Sequence, residues 1–276
     1  MDKTLNLNNK TLVKILGCGS STGVPRIGND WGDCDSKNKK NNRNRCSLLI
    51  ERYSEDQVTR VVIDTGPDLR IQLNSVNAMM IDAVFYTHEH ADHTHGIDDL
   101  RVFSIRKREK INIFASKSTS HYLEKKFGYC FKTPKESSYP AILSMNIIEK
   151  GLKYIVSGKG GDIIIEPFEL VHGDIKSFGF KINDFAYSPD VSFIPLESHK
   201  YVQGLEYWVI DALRWDKHPT HFSVDEALEL IAKFNVKNGI LTNMHIDLDY
   251  NVLIDYLPKN VEPGYDGLCL DITKNI

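Results

Sequence analysis

No Cys-x-x-Cys pair occurs in the sequence, and the five cysteines, Cys18, Cys34, Cys46, Cys130 and Cys269, are scattered and odd in number. A disulfide framework is therefore excluded, and the thiols read as reduced groups that fill space. A strongly basic balance is also missing: the formal net charge is -3 and the pI about 6.4. Nucleic-acid binders usually carry an excess of Lys and Arg, so nucleic acid is not the expected partner and any phosphate recognition must be local. No stretch approaches the ~18 apolar residues of a membrane span. The opening, MDKTLNLNNK, is polar and has no apolar core of a signal peptide. A cytoplasmic protein without membrane association is the expectation. No internal repeat at a fixed period is evident.

What is present is an ordinary globular balance, with 41% hydrophobic and 26% charged residues. A chain of 276 residues can bury a substantial core as one domain, read here as 1–276 with a polar lead at 1–10. Strand-length apolar runs dominate: Leu12 to Leu16, Cys46 to Glu51, Arg60 to Asp64, Ala83 to Thr87, Ile111 to Ala115, Ile163 to Val171, Phe178 to Ile182, Trp208 to Ile210, Gly239 to Thr242 and Leu268 to Leu270. Helices fit Thr119 to Phe127 and Val224 to Phe234. The second of these follows a Ser-x-x-Glu capping box at Ser223 and Glu226. This mixture predicts an α/β protein of two sheet layers with helices outside. Segments 36–45 (SKNKKNNRNR) and 132–140 (KTPKESSYP) read as exposed loops. The basic runs at 36–45 and 101–110 read as solvated surface rather than phosphate grips.

The informative segment is IDAVFYTHEHADHTHGIDDL, residues 81–100. A buried-type strand there ends in His88, His90, Asp92 and His93, three imidazoles and a carboxylate within six residues. Structural use alone does not explain that density. These N and O donors suit Zn²⁺ or Mn²⁺. In extended chain, side chains at i and i+2 point the same way, so His88 and His90 can chelate one ion. If the chain then turns helical, Asp92 and His93 leave on another heading and can reach a second ion. His95 reads as a supporting or surface group.

HEHADH matches H-x-H-x-D-H, and on that motif the chain resembles the metallo-β-lactamase superfamily. The resemblance implies a four-layer αββα sandwich with a two-metal site at the sheet edge. It also implies that His88, His90 and His172 hold one divalent ion, Asp92, His93 and His245 hold the other, and Asp190 bridges them. Asp64 falls where the superfamily has a buried Asp that steadies the ligand loop. Relatives often place a His directly after Leu-Thr in the last ligand strand, whereas here Asn243 stands there and His245 comes two residues later. The seventh ligand is thus left open between the two. GCGSSTGVPRIG, NRCSLLI, VVIDTGPDLR, HPTHFSVDEAL, LDY and PGYDGL extend the resemblance over nearly the whole chain, to the PhnP-like branch.

Members of that branch are similar in opening small cyclic phosphodiesters, such as a ribosyl or nucleoside cyclic phosphate, through a metal-bound hydroxide. His221, in HPTHFS, matches the branch's extra active-site His, with His218 the competing candidate. Asp92 and His221 are the catalytic candidates, Asp92 orienting the nucleophile and His221 assisting the departing oxygen. The glycines of GCGSSTG read as tight turns, since no Walker Lys follows. Some relatives bind a third, structural zinc through a Cys-x-Cys. This chain has only Cys34 there, so a third metal is not expected. A small phosphodiester is the expected partner, and the branch allows a homodimer that no sequence feature compels. Two alternatives remain, a nuclease of the same superfamily (tRNA 3' processing or single-strand exonuclease) and a metal-binding module without catalysis.

Overall fold

In the computed structural model residues 7–273 are described, so most of the polar lead read at 1–10 lies outside the described residues. Two seven-stranded sheets face each other. The first contains β1 (Thr11–Gly17), β2 (Ser47–Ser54), β3 (Gln57–Ile63), β4 (Ala83–Phe85), β5 (Ile111–Ala115), β6 (Leu143–Ile147) and β14 (Cys269–Asp271). Its order is β14-β1-β2-β3-β4-β5-β6. The second contains β7 (Tyr154–Val156), β8 (Ile163–His172), β9 (Ile175–Ile182), β10 (Phe185–Ser188), β11 (Tyr207–Asp211), β12 (Asn238–Thr242) and β13 (Val261–Pro263). Its order runs β13-β12-β11-β10-β9-β8-β7.

The unbroken apolar runs that marked the strands have a simple cause, because the first sheet is covered on both faces. Leu48, Ile50, Val61, Ile63 and Phe85 point into the space between the sheets, against Phe168, Leu170 and Phe180. Their neighbours Leu49, Val62 and Val84 point the other way and pack on Leu69, Leu73, Phe103 and Leu123. Those partners come from helices α1 (Leu69–Ser75), α3 (Arg101–Lys107) and α4 (Lys117–Phe131), with the one-turn α2 (Ala91–Thr94) between the first two. Alternation on a two-sided sheet therefore gives helix, sheet, sheet and helix layers. On the far side a short α5 (His199–Val202) is followed by α6 (Val224–Lys233), which lies on β11 and β12, and α7 (Tyr250–Tyr256), which lies on β13. Among the described residues no helix is long and apolar enough to cross a membrane.

The capping box at α6 is formed: Ser223 Oγ accepts from the Glu226 backbone N–H at 3.3 Å, and Glu226 Oε2 accepts from the Ser223 N–H at 3.0 Å. Such caps satisfy helix N–H groups that otherwise lack partners. Ser223→Ala should lower stability by about 1 kcal/mol, read as a shift in urea midpoint with an unchanged m-value.

Four strands escaped sequence reading: β6, β7, β10 and β13, of 5, 3, 4 and 3 residues. Runs this short show too little alternation to separate a strand from a loop. Helices α1, α3 and α7 span 7 residues each and failed for the same reason.

One reading is corrected. Segment 132–140 is mostly exposed, but 36–45 is not a free basic arm, because Asn41 and Arg43 within it are 0% and 1% exposed. The Arg43 guanidinium donates to Leu248 O at 2.7 Å and to Asn41 Oδ1 at 3.2 Å. Asn41 Nδ2 in turn donates to Asp249 Oδ2 at 2.6 Å. These two polar side chains satisfy main-chain and carboxylate acceptors that would otherwise be buried unpaired, a role invisible in local composition.

Candidate metal centre

The functional side chains sit at strand ends along one edge of the sandwich. Asp64 follows β3, Thr87 and His88 follow β4, His172 closes β8, Asp190 comes two residues after β10, Asp211 closes β11 and Asn243 follows β12. Strands hold their ends rigidly, while the residue just beyond is free of ladder geometry and can aim a side chain at a common point. Asp64 and Asn243 take left-handed φ values of +63° and +61°, a conformation that Asp and Asn tolerate better than other side chains with a Cβ.

Asp64 organises the ligand loop. It is fully buried, its Oδ1 accepts the Thr87 N–H at 2.8 Å, and its Oδ2 accepts the Thr87 hydroxyl at 2.8 Å and His93 Nδ1 at 2.7 Å. Since the Thr87 hydroxyl proton goes to Asp64, Thr87 Oγ1 can only accept from His88 Nδ1, which lies 2.9 Å away. One carboxylate thus fixes Nδ1 of two imidazoles as the donor, one directly and one through a hydroxyl, and turns both Nε2 atoms toward a common ligand. His172 is handled in the same way, its Nδ1 donating to Thr220 O at 2.7 Å.

The Nε2 atoms and carboxylates converge. Donor atoms of His88, His90 and His172 lie within 4.8 Å of one another, as do those of His88, His93 and Asp190 and those of His172, Asp190 and His221. His93 Nε2 is 3.0 Å from Asp190 Oδ2 and 3.4 Å from Asp92 Oδ2. The floor of the cluster, formed by His88, His93 and Asp190, is buried, while His90 is exposed at its mouth.

His88 Nε2 is buried without a hydrogen-bond partner, and His93 Nε2 and Asp190 Oδ2, also buried, face each other at 3.0 Å without a well-aligned hydrogen bond. Each such atom costs about 1 to 3 kcal/mol unless something fills its valence. Three of them aimed at one point fit a metal cation. Charge agrees with that reading. Burial alone would depress the His93 pKa, but Asp190, Asp92 and Asp64 around it outweigh burial and raise it well above its ordinary value. Asp190 is lowered: burial opposes the shift, but His93, His88 and His221 together outweigh it. His88 and His172 are lowered by burial, which keeps them neutral and able to donate a lone pair. Three carboxylates, Asp64, Asp92 and Asp190, surround His93, and a divalent ion would balance them better than an imidazolium.

Residues 59–246 match the Beta-lactamase superfamily domain. The chain belongs to the metallo-β-lactamase superfamily. A solved diphosphatase of the PhnP family is 31% identical, with a TM-score of 0.83 over 95% of this chain and 97% of that one, which places this superfamily member on the PhnP-like branch. The Zn²⁺-bound PqqB of Methylobacterium extorquens (15% identity, TM-score 0.73, 94% and 99% of the two chains) and the short form of human tRNase Z (17%, 0.64, 95% and 99%) share the fold. A protein of Porphyromonas gingivalis named octanoyltransferase is 31% identical over 257 residues, 92% of this chain. This chain spans 50% of that relative's length, so the name belongs to a longer protein.

The structure brings His88, His90, Asp92, His93, His172, Asp190 and His221 together. His245 lines the same cleft, with its Nδ1 3.0 Å from Asp247 Oδ1, and it joins none of the three donor groups found among the described residues. Asn243 occupies the inner position, its Nδ2 3.3 Å from Asp190 Oδ1, 3.3 Å from Asp211 Oδ1 and 3.1 Å from His221 Nδ1. The left-handed turn at Asn243 directs its amide inward, and His245, two residues on, lies at the rim. His95 points away and contacts Tyr122.

Asp211 was not singled out from sequence. It is fully buried, accepts the Val191 N–H at 3.0 Å, and bonds His221 Nδ1 at 2.7 Å. The pattern that could have revealed it is VVID at 61–64 repeated as WVID at 208–211, a buried run closed by Asp in each sheet. Burial would lower His221, but Asp211, helped by Asp190 and Asp92, outweighs it and raises His221 to about 9. His218 has no such partner, and burial lowers it.

The glycines of the 17–23 loop serve two purposes. A Cβ at Gly17 would lie 2.0 Å from Arg45 O and one at Gly19 would lie 2.8 Å from Arg43 O, so close backbone approach requires both, while Gly23 takes φ +67°. Residues 19–23 also have Gly-x-Ser-x-Gly spacing. No helix follows them directly to make a nucleophile elbow, and among the described residues no hydrogen bond joins Ser21 Oγ to a His.

Proposed function

We propose that this chain is a metal-dependent phosphodiesterase that hydrolyses a small, cyclic-type phosphodiester. The observation that carries the proposal is the His221–Asp211 pair placed beside the donor cluster, with the His172 and His221 rings 4.6 Å apart. A metal cluster alone suits many hydrolyses, whereas expulsion of an alkoxide needs a positioned acid as well.

In this reading His88, His90 and His172 would hold one divalent ion, Zn²⁺ or Mn²⁺. Asp92 and His93 would hold a second, Asp190 would lie between the two, and Asn243 would stand where a seventh ligand was sought. Bound there, a pair of such ions would neutralise phosphoryl charge and make a water acidic enough to attack at neutral pH. The chain's own groups do the rest. Asp64 and Thr87 hold the two loop imidazoles in their ligating tautomer. Asp92, half-buried at the edge of the cluster, orients the attacking oxygen. Asp211 accepts the Nδ1–H of His221, stabilises the imidazolium, and so keeps a proton on Nε2 for the departing ribose oxygen. No covalent intermediate on the protein is required, because phosphoryl transfer depends mainly on positioning and electrostatics.

The test is a screen of purified, metal-analysed protein against bis(p-nitrophenyl) phosphate, nucleoside 2',3'-cyclic phosphates, a ribosyl cyclic phosphate, a nucleoside diphosphate and a short RNA, with Mn²⁺ or Zn²⁺. Turnover should favour the small diesters over RNA. Cleavage of RNA alone would favour a nuclease, and no release from any substrate under either metal would leave a binding module.

A further inference from the structure

Away from the cleft, α1 and α3 leave an apolar groove of about 340 Å³ between them. Leu69, Leu73, Ala78 and Phe103 form its buried floor, and Met79 and Val102, 60% and 41% exposed, stand at its sides. Ile71 on α1 and Ile105, one turn beyond Val102 on α3, add exposed apolar surface on the same two helices. Four large apolar side chains exposed around one groove mark a surface that gains from being covered. None of the residues that line the groove lines the metal-centre cleft.

The charges around the groove indicate what covers it. Arg70 and Asp99 both line it and both are exposed, yet among the described residues neither side chain makes an ion pair or a hydrogen bond. Their neighbours are engaged: Asp98 pairs with Arg101 at 2.6 Å, and Arg106 donates to Met79 O at 3.0 Å. A covering segment of one sign would satisfy one of the two free charges and repel the other. A second copy of the chain satisfies both, because a two-fold interface sets residue i against residue j and residue j against residue i. One free cation and one free anion on the same face are then enough for two ion pairs, placed around an apolar centre as in other protein interfaces.

We propose that the α1 and α3 face joins two copies of this chain in solution, with Arg70 of each copy paired to Asp99 of the other. Burial of the apolar side chains drives the association, while the two ion pairs select the partner and fix its orientation. The groove lies outside the cleft, so the proposal is independent of the phosphodiesterase reading.

Sedimentation equilibrium at micromolar protein tests it on the wild type, Arg70→Glu, Asp99→Arg and the double variant. The wild type should be a dimer. Either single variant sets like charges against each other at both contacts and should raise the dimer dissociation constant by about 10-fold or more. Its circular dichroism spectrum should be retained, because both positions are exposed. The double variant restores opposite signs and should return the constant to within about threefold of the wild type. Mixing the two single variants in equal amounts is the sharper experiment. The mixed dimer has opposite signs at both contacts, so it should form where neither variant associates alone, a result that no change within a single chain produces. A monomeric wild type would overturn the proposal and leave the groove to an unrelated chain. A dimer indifferent to both single substitutions would place the interface elsewhere and overturn it too, as would a mixture that stays monomeric.

Discussion

Asp190→Ala should abolish turnover, by about three orders of magnitude or more, and strip metal from the protein. Asp190 is the carboxylate at the centre of the cluster: its two oxygens lie 3.0 Å from His93 Nε2 and 3.9 Å from His172 Nε2, so both proposed metal positions lean on it. Removing it leaves the buried His93 with only Asp64 and the more distant Asp92 to balance a cation. It also frees the Asn243 amide, which now contacts Asp190 Oδ1. The loss of several kcal/mol of transition-state charge stabilisation corresponds to the stated factor. Elemental analysis after gel filtration should show fewer than one ion per chain, against the two proposed for the wild type, with the circular dichroism spectrum retained because the core strands are untouched. Wild-type metal content and turnover in this variant would remove Asp190 from the centre altogether.

His221→Ala should act differently. Turnover should fall by about 10²-fold to 10⁴-fold while metal content stays at the wild-type value, because the proposal gives His221 a proton rather than an ion to hold. The loss should shrink on substrates with a good leaving group, such as p-nitrophenolate, which departs without a proton. Asp211→Asn should reproduce part of the effect, since a neutral amide no longer stabilises the His221 imidazolium and leaves an uncharged imidazole, a far weaker acid. The grouping of His221 with His172 and Asp190 within 4.8 Å makes metal content the deciding measurement. If His221→Ala loses an ion, the imidazole is a ligand and the acid must be sought elsewhere, with His218 the next candidate in the cleft.

Much of this centre could be read directly. His88, His90, Asp92 and His93 fall within six residues, and local chain geometry alone divides them between two headings. Asp64 was legible only because it falls where the superfamily carries a buried Asp. His172 and Asp190 needed family resemblance, since a single His or Asp at a strand end has no local feature to distinguish it. Where the resemblance placed a late His, the order of residues could not say which of Asn243 and His245 turns inward. That depends on one backbone dihedral at Asn243. Asp211 and the Thr220 carbonyl were missed because their value lies entirely in what they touch: His221 is ten residues from Asp211, and His172 is forty-eight from Thr220. The basic segment at 36–45 misled for the same reason, since composition describes solvated side chains and Arg43 is not one.

By itself, then, the order of residues determined the two-sided sheets, through apolar runs that need cover on both faces. It also determined the helix start at Ser223 and the presence of a metal-binding loop, all of which follow from interactions between near neighbours. Tertiary structure alone decided which distant side chains share the centre, which imidazole nitrogen each of them presents and that Arg43 is interior. Those outcomes depend on contacts between strand ends far apart in sequence, where hydrogen-bond partners and burial are set by packing and not by local chemistry.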